Sequence, residues 1–184
     1  MKSIVNLVLG GQRDIDDVND VLQVIKDRRD FANIFVRADN TIAGIFRLQV
    51  NYDLNVKEAI KAGKYDWEND DINDKNFLSK RSGSALIDIR LVHFNKDMSF
   101  EDVLKELNKM GLRPAKLPEL LALGAECPAE QRKYPVVALG SVWQDSLGDR
   151  SVPCLDRPGS ERGLGLCCFE GDWGASFRFA AVCK

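Results

Sequence analysis

The sequence has very little histidine and no cysteine pair of the kind that binds zinc. His93 is the only histidine in 184 residues, and none of the five cysteines belongs to a Cys-x-x-Cys motif. Because structural zinc sites combine such pairs with further ligands, we expect no ordinary zinc site. An odd number of cysteines that includes the neighbours Cys167 and Cys168 is also a poor disulfide framework.

Long apolar runs and basic stripes are missing as well. No run approaches the roughly 18 apolar residues of a membrane span, and the run at residues 4–9 is interrupted by Asn6. Lys and Arg are scattered along a chain of formal net charge -2. We therefore expect no secretory signal, no membrane insertion and no nucleic-acid partner, and a location in the cytoplasm or in a virion.

The composition is that of a globular protein. The chain divides into an extension of residues 1–44 and a domain of residues 45–184. Hydrophobic residues make up 45% of the chain and charged residues 29%, so one core can form. In the extension, Asp14 or Asp16 caps a predicted helix. Its apolar face consists of Val18, Val21, Leu22 and Ile25. This helix either packs on its own domain or serves in oligomerisation or tethering.

The domain shows the mixed periodicities of an α+β fold. Alternation of apolar and polar residues predicts strands at 45–52 and 84–94, and an apolar run with two apolar faces predicts a buried central strand at 134–143. His93 lies on the apolar face of the second strand, where a lone histidine is expected to be a structural residue with a hydrogen-bond partner.

Three helices are predicted between these strands. Asn55 and Glu58 have the spacing of a capping box before the first helix. Ser99 caps the second, whose apolar stripe ends at Met110 before Gly111, and the third has Pro118 in its first turn. Gly124 is expected to end that third helix.

The acidic segment 66–71 has alternating oxygen ligands that suggest a calcium loop. It lacks the glycine at the sixth position, and Phe77 stands where the closing glutamate belongs. A solvated loop is therefore the expectation.

The composition changes after Trp143. Seven of the 14 glycines lie between Gly140 and Gly174, no asparagine follows Asn108, and no lysine lies between Lys133 and Lys184. A glycine-rich loop region would explain the glycines but not the loss of asparagine, which turns normally favour.

An apolar frame nevertheless runs through residues 141–184, anchored by Trp143, Phe169, Trp173 and Phe179. Between its members lie mostly small or polar residues that we expect to point outward and to bind a ligand. These predicted display positions are Asp149, Ser151, Cys154, Asp156, Ser160, Gly163, Gly165, Cys167, Cys168, Gly171, Gly174, Ala175, Ser176 and Phe177.

Several runs in the second half of the chain resemble the variable proteins of diversity-generating retroelements, in particular members from archaea, their viruses and bacteria with very small genomes. They are KLPELLA at 116–122, VALGSVW at 137–143, GDRSVPCL at 148–155, DW at 172–173 and RFAAV at 178–182. The likeness extends from about Phe46 to the last residues and adds little for residues 1–44.

The resemblance implies a C-type lectin fold of the formylglycine-generating-enzyme kind, whose terminal strand pairs near the first strand. It implies a receptor- or target-binding protein without catalysis, cofactor or metal, whose tail is diversified by error-prone copying of template adenines. The predicted display residues belong to the set that a template asparagine or tyrosine codon can yield. Glu161, Glu170 and Trp173 do not belong to this set and are therefore assigned to the frame. The macromolecular target is not fixed, and an oligomer is compatible with this role.

Two other functions remain as alternatives. A thiol-dependent oxidase on the same fold would use Cys167 or Cys168, but a reactive thiol generally needs a nearby cation or base, and His93 lies on a remote strand. A calcium-dependent lectin would need carboxylate and amide ligands, and the tail contains no asparagine.

Overall fold

A computed structural model describes residues 42–184, which belong to the compact unit Asp39–Lys184. The helix predicted in the extension lies outside the described residues. The domain is a mixed α/β structure with a nine-stranded sheet and helices. The strands are β1 (Ile42–Asn51), β2 (Trp67–Glu68), β3 (Ser84–Val92), β4 (Leu112–Pro114), β5 (Val136–Val137), β6 (Trp143–Gln144), β7 (Arg150–Asp156), β8 (Gly163–Cys168) and β9 (Arg178–Cys183), and the helices are α1 (Val56–Gly63), α2 (Phe100–Lys109), α3 (Leu117–Glu126) and α4 (Pro128–Gln131).

The strand β9 is an interior strand of the sheet and lies between β3 and β5. The order is β1-β3-β9-β5-β7-β8-β2, with β4 paired to β9 and β6 paired to β7. β9 runs antiparallel to β3 and β4 and parallel to β5. Its residues Phe179, Ala180, Ala181 and Val182 are all buried, as expected of a strand with neighbours on both edges and a core on both faces.

The helix starts follow the predicted capping chemistry. Asn55 accepts a hydrogen bond from the Glu58 N–H, and the Glu58 side chain accepts one from the Asn55 N–H, so the capping box is confirmed. Ser99 accepts a hydrogen bond from the Asp102 N–H and starts α2. Met110 was expected in the apolar stripe of α2 but is 51% exposed, because it is the C-cap residue and lies beyond the last packed turn.

The predicted end of α3 at Gly124 is wrong, since the helix continues to Glu126. Gly124 is buried inside the helix, where a Cβ atom would collide with the Tyr65 hydroxyl. The glycine therefore makes room for the Tyr65 side chain and does not mark a turn.

The central apolar strand is shorter than the predicted 134–143. Only Val136 and Val137 pair as β5, although Ala138 and Leu139 are also buried. The chain bends at Gly140, whose N–H donates to the Ala115 carbonyl at 2.9 Å and whose missing Cβ would lie 2.6 Å from the same oxygen. Two-sided burial is thus confirmed, and strand length is not.

Arg162 is a buried cation that connects two helix ends. It is 5% exposed, and its guanidinium donates to the Gly63 carbonyl at 2.7 Å and to the Gly124 carbonyl at 2.6 Å. These carbonyls belong to the last turns of α1 and α3, where carbonyl groups have no hydrogen-bond partner within the same helix. A third hydrogen bond goes to Oε1 of Gln131 at 3.2 Å, so the guanidinium holds α1, α3 and α4 together.

Replacing Arg162 by methionine is expected to reduce the free energy of unfolding by roughly 3–5 kcal/mol, because buried carbonyls lose their donor. The measurement is denaturant unfolding of Arg162→Met beside Arg157→Met, a matched change at an exposed arginine. A change at residue 162 no larger than the one at residue 157 would show that the guanidinium does not stabilise the helix ends.

Candidate binding surface

The strands β7 and β8 form a hairpin that carries about half of the predicted display positions. Cross-strand pairs are Ser151 with Cys168, Val152 with Cys167, Cys154 with Gly165 and Asp156 with Gly163. Since alternate residues of a strand face opposite sides, Cys154, Asp156, Gly163, Gly165 and Cys167 share one face, and Ser151 and Cys168 lie on the other. The display positions of the hairpin therefore do not form one outward face.

Both faces of the hairpin are covered over much of its length, so the outward orientation predicted for Cys154, Gly163 and Gly165 is wrong. Leu155 and Leu164 pack into one hydrophobic cluster, whereas Val152 and Cys154 pack into a second. Cys154 is 1% exposed, and the two glycines are buried. A Cβ atom at Gly163 would clash with the Asp156 carboxylate, which leaves no room for free exchange there.

Cys154 and Cys167 form a disulfide, with 6.2 Å between their Cα atoms. This corrects the expectation that the cysteines make a poor disulfide framework, because two of them meet diagonally across the hairpin on the same face. A cross-linked pair is part of the frame, and neither cysteine is an exchangeable display residue. Cys127, Cys168 and Cys183 are free thiols.

The remaining display positions near the β6–β7 and β8–β9 connections form what we call the loop patch. Its members are Asp149, Ser151, Cys168, Gly171, Gly174, Ala175, Ser176 and Phe177. All are exposed or half-buried. Pairing of Ser151 with Cys168, and the 3.0 Å hydrogen bond from the Phe169 N–H to the Arg150 carbonyl, bring the start of β7 beside the end of β8.

Backbone contacts fix the loop between β8 and β9. Trp173 and Met98 exchange two backbone hydrogen bonds, at 2.8 and 3.0 Å. The Ala175 N–H donates to the Asp97 carboxylate at 3.0 Å, and Nε2 of His93 donates to the Ala175 carbonyl at 2.8 Å. His93 is thus a structural residue with a hydrogen-bond partner, as predicted.

Buried aromatic side chains anchor the same loop from beneath. Phe169 and Trp173 are each 4% exposed, and Phe179 is 2% exposed. Trp173 makes edge-to-face contacts with Phe177 and Phe179, at centroid distances of 5.3 and 6.1 Å, a geometry that aromatic rings favour. Three of the predicted anchors are confirmed as core residues, while Trp143 is half-buried.

At the surface, Arg150 at the start of β7 contacts two residues of the loop that follows β8. Its guanidinium lies 4.2 Å above the Phe169 ring, and its Nε donates to the Glu170 carboxylate at 2.6 Å. Glu170 was assigned to the frame from the sequence, and this ion pair is consistent with that assignment.

A second group of residues lies at the other end of the hairpin, which we call the Trp67 patch. It consists of the display positions Asp156 and Ser160 together with Trp67, which lies over the buried Gly163 and Gly165. A Cβ atom on Gly165 would lie 3.6 Å from the Trp67 ring, and Trp67 is 49% exposed. The five-residue step from Ser151 to Asp156 corresponds to about 17 Å along a strand, so the two patches are separate surfaces.

Asp156 is held in an unfavourable environment within the Trp67 patch. Burial raises the pKa of its carboxyl group above the usual range, and its Oδ1 is buried without a hydrogen-bond partner among the described residues. An unpaired buried oxygen costs free energy, so this oxygen contributes no hydrogen bond that stabilises the hairpin.

Sequence reasoning missed two exposed apolar residues, Leu147 in the tail and Trp67 outside it. Leu147 is 86% exposed at the tip of the β6–β7 hairpin, where the Asp145 carboxylate accepts hydrogen bonds from the N–H groups of Leu147 and Asp149. The Asp-Ser-Leu-Gly order at 145–148 is a turn signature that could have identified it. Trp67 could not have been found from the tail, because it belongs to a distant segment.

Among residues 42–184, the side chains that the two alternative functions would use take part in other contacts or lie apart. Cys167 is engaged in the disulfide, and Cys168 faces the opposite side of the hairpin. In the acidic segment, Asp66 accepts a hydrogen bond from the Arg162 N–H at 2.7 Å and Asn69 accepts one from the Asp71 N–H. No described cluster of three His, Cys, Asp or Glu side chains is placed to hold a metal ion, and no described helix is long and apolar enough to cross a membrane.

The chain has no match among protein-family models, curated proteins or solved structures. A proposal for the function therefore depends on the loop patch and its chemistry.

The disulfide predicts that only three of the five cysteines react with an alkylating reagent in the unfolded, unreduced protein, and all five after reduction. Reduction should also cost about 3 kcal/mol of stability, the value expected for a cross-link closing a loop of this size. Intact-mass spectrometry and denaturant unfolding are the measurements. Cys168→Ser serves as the control and should leave stability unchanged, whereas five alkylated cysteines without reductant would contradict the cross-link.

Proposed function

We propose that this protein is a target-binding protein that presents the loop patch, on a C-type lectin-like domain, to a macromolecular ligand. The observation that carries this proposal is the way in which the patch is held. Its backbone is fixed by Met98, Asp97 and His93, and its anchors Phe169 and Trp173 are buried. The exposed side chains are therefore not needed to position the loop.

A surface built in this way can change its side chains without changing its shape. The outward residues Asp149, Ala175 and Ser176 make no contact on which the core depends, and Ser151 is half-buried at the strand edge. A rigid, preformed surface also loses less conformational entropy when it binds. Both properties suit a protein whose binding specificity varies while its fold does not.

The C-type lectin-like assignment is supported by the strand arrangement. β1 and β9 lie in one sheet with only β3 between them, and the long excursion from β5 to β9 carries the candidate surface. This arrangement agrees with a fold whose terminal strand pairs near the first strand.

Diversification of the tail by adenine-directed copying is the finer part of the proposal. After removal of the buried or cross-linked positions, the candidate variable residues are the loop patch together with Asp156 and Ser160. Each is still a product that an asparagine or tyrosine codon can yield, whereas the structural residues Glu170 and Trp173 are not. Of the excluded residues, Trp173 is buried and Glu170 forms an ion pair with Arg150, which supports the proposal, whereas Glu161 is exposed.

The loop patch of this protein contains few large side chains. Phe177 is half-buried against Trp173, and the other members are small or polar. Binding hot spots are enriched in Trp, Tyr and Arg, so we expect modest affinity from this copy for any given target.

Simultaneous replacement of Asp149, Ser151, Ala175 and Ser176 by other residues of the asparagine-codon set is expected to change the free energy of unfolding by less than about 2 kcal/mol, because a single surface substitution changes it by about 0.5 kcal/mol or less. Trp173→Ala should cost about 3–5 kcal/mol, because it removes a buried aromatic anchor. Denaturant unfolding of the quadruple variant and of Trp173→Ala measures both. A quadruple variant as unstable as Trp173→Ala would mean that the patch residues are structural.

The copying mechanism is tested at the level of DNA. We expect, near the gene, a second copy of the region encoding the tail that differs from it only where the second copy has adenine, together with a reverse transcriptase gene. Sequencing of the surrounding locus gives the result. Differences scattered over all four bases, or no second copy, would refute diversification, whereas the unfolding comparison above tests separately whether the patch residues can be exchanged.

A further inference from the structure

A basic cleft lies beside the start of α3 and shares no residue with either patch. Its volume is about 610 Å³. Tyr52 at the end of β1, the segment 76–81, Arg113, the first turn of α3 and residues 140–142 line it. The cleft is therefore assembled from five separate parts of the chain, and only its residues 141–142 belong to the tail.

A hydrogen-bonded network forms one side of this cleft. Glu119, which is 1% exposed, accepts hydrogen bonds from Arg113 at 2.6 and 3.0 Å and from the Tyr52 hydroxyl at 2.8 Å. Arg81 donates to the Tyr52 oxygen at 3.2 Å, and its guanidinium lies 4.4 Å from the centre of the Tyr52 ring. Arg81 is thus held in one place by Tyr52 while remaining exposed.

The charge states of the network follow from its contacts. Burial together with the Glu119 hydrogen bond raises the pKa of Tyr52 to about 12, so its hydroxyl keeps its proton. Burial opposes ionisation of Glu119, but the hydrogen bonds from Arg113, the Lys116 N–H and Tyr52 hold its pKa below the usual range. Glu119 is therefore ionised at neutral pH, and its charge is balanced by Arg113.

Three further cations line the cleft without a matching carboxylate. Lys80, Arg81 and Lys116 form no salt bridge with any of the described carboxylates. The only carboxylate of the lining is Glu119, whose oxygens are already engaged. The cleft thus carries an excess of positive charge and several donors that an anion can use.

An apolar groove of about 290 Å³ adjoins the basic cleft. The two share Phe77, Leu78, Ser79, Leu117 and Pro118 in their linings. The groove continues along Leu54, Leu121, Ala122 and Ala125, and Leu78 is 80% exposed between the two. Asp74 and Glu126 also line the groove, away from the basic residues, and Asp74 already accepts a hydrogen bond from the Val56 N–H.

We propose that this composite site binds an amphiphilic anion, with a carboxylate, phosphate or sulfate head group against Arg81, Lys80 and Lys116 and an apolar chain along Leu78 and Ala122. A guanidinium that is already held by Tyr52 loses little freedom on binding, and it can donate two parallel hydrogen bonds to such a head group. The apolar chain would cover side chains that are otherwise exposed to water.

The test is calorimetric titration of the full chain with octyl phosphate as the amphiphilic probe. Inorganic phosphate probes the head-group site alone, octyl glucoside probes the groove alone, and octanoate distinguishes a carboxylate from a phosphate head group. We expect octyl phosphate or octanoate to bind at one site at least about tenfold more tightly than inorganic phosphate or octyl glucoside, since each buried methylene adds to affinity. Added salt should weaken the binding.

Variants locate the binding. Arg81→Ala and Lys116→Ala should each weaken octyl phosphate by about tenfold, because each removes a charged donor. Leu78→Ser should weaken octyl phosphate and leave inorganic phosphate unchanged. Lys105→Ala, an exposed lysine on α2, is the matched control and should change neither. Unfolding curves confirm that the variants fold, as expected for exposed positions.

Four results would overturn the proposal. Equal affinity for octyl phosphate and inorganic phosphate would exclude the groove, and equal affinity for octyl phosphate and octyl glucoside would exclude the cations. Binding of octyl phosphate that survives both Arg81→Ala and Lys116→Ala, or no binding of either amphiphilic anion, would exclude the site. None of these outcomes bears on the loop patch, whose role is tested separately.

Discussion

The guanidinium of Arg162 is the contact on which the arrangement of this domain depends. It takes up the carbonyls of Gly63 and Gly124, which lie at the ends of two different helices, and the side chain of Gln131. Its own backbone pairs with Asp66, so the same residue fixes the start of β8 against β2. A helix end that is buried in a protein costs free energy unless its carbonyls accept hydrogen bonds. The single guanidinium of Arg162 supplies such donors and so allows three helices to pack close to the β7–β8 hairpin.

Features set by neighbours in sequence could be predicted, and features set by distant contacts could not. The capping box of Asn55, the cap at Ser99 and the alternation of β1 and β3 depend on residues a few positions apart, and each is present. The Cys154–Cys167 cross-link and the place of Gly124 inside a helix depend on which segments meet in the fold. For the same reason, the composition of the tail identified its buried anchors but could not show that both faces of the β7–β8 hairpin are covered.

In the loop patch, the position of a residue does not depend on which side chain it carries, and this property supports the proposed binding role. In the loop between β8 and β9, backbone hydrogen bonds and the rings beneath determine where each residue lies, so side chains above them are left to the solvent. The Trp67 patch is built differently, since Asp156 and Gly163 occupy one space and constrain each other. The two surfaces therefore differ in how freely they could change, and the loop patch is the more permissive.

The position of β9 means that the sheet can be completed only after the tail has been synthesised. β9 follows the loop patch in the chain but lies between β3 and β5 in the sheet, and it also pairs with β4. A polypeptide that stops or loses its reading frame within the patch would leave those three strands without their common partner and would expose the apolar residues of both clusters. Such a product would not form the complete sheet, so the folded domain requires that the chain be read through the patch in frame.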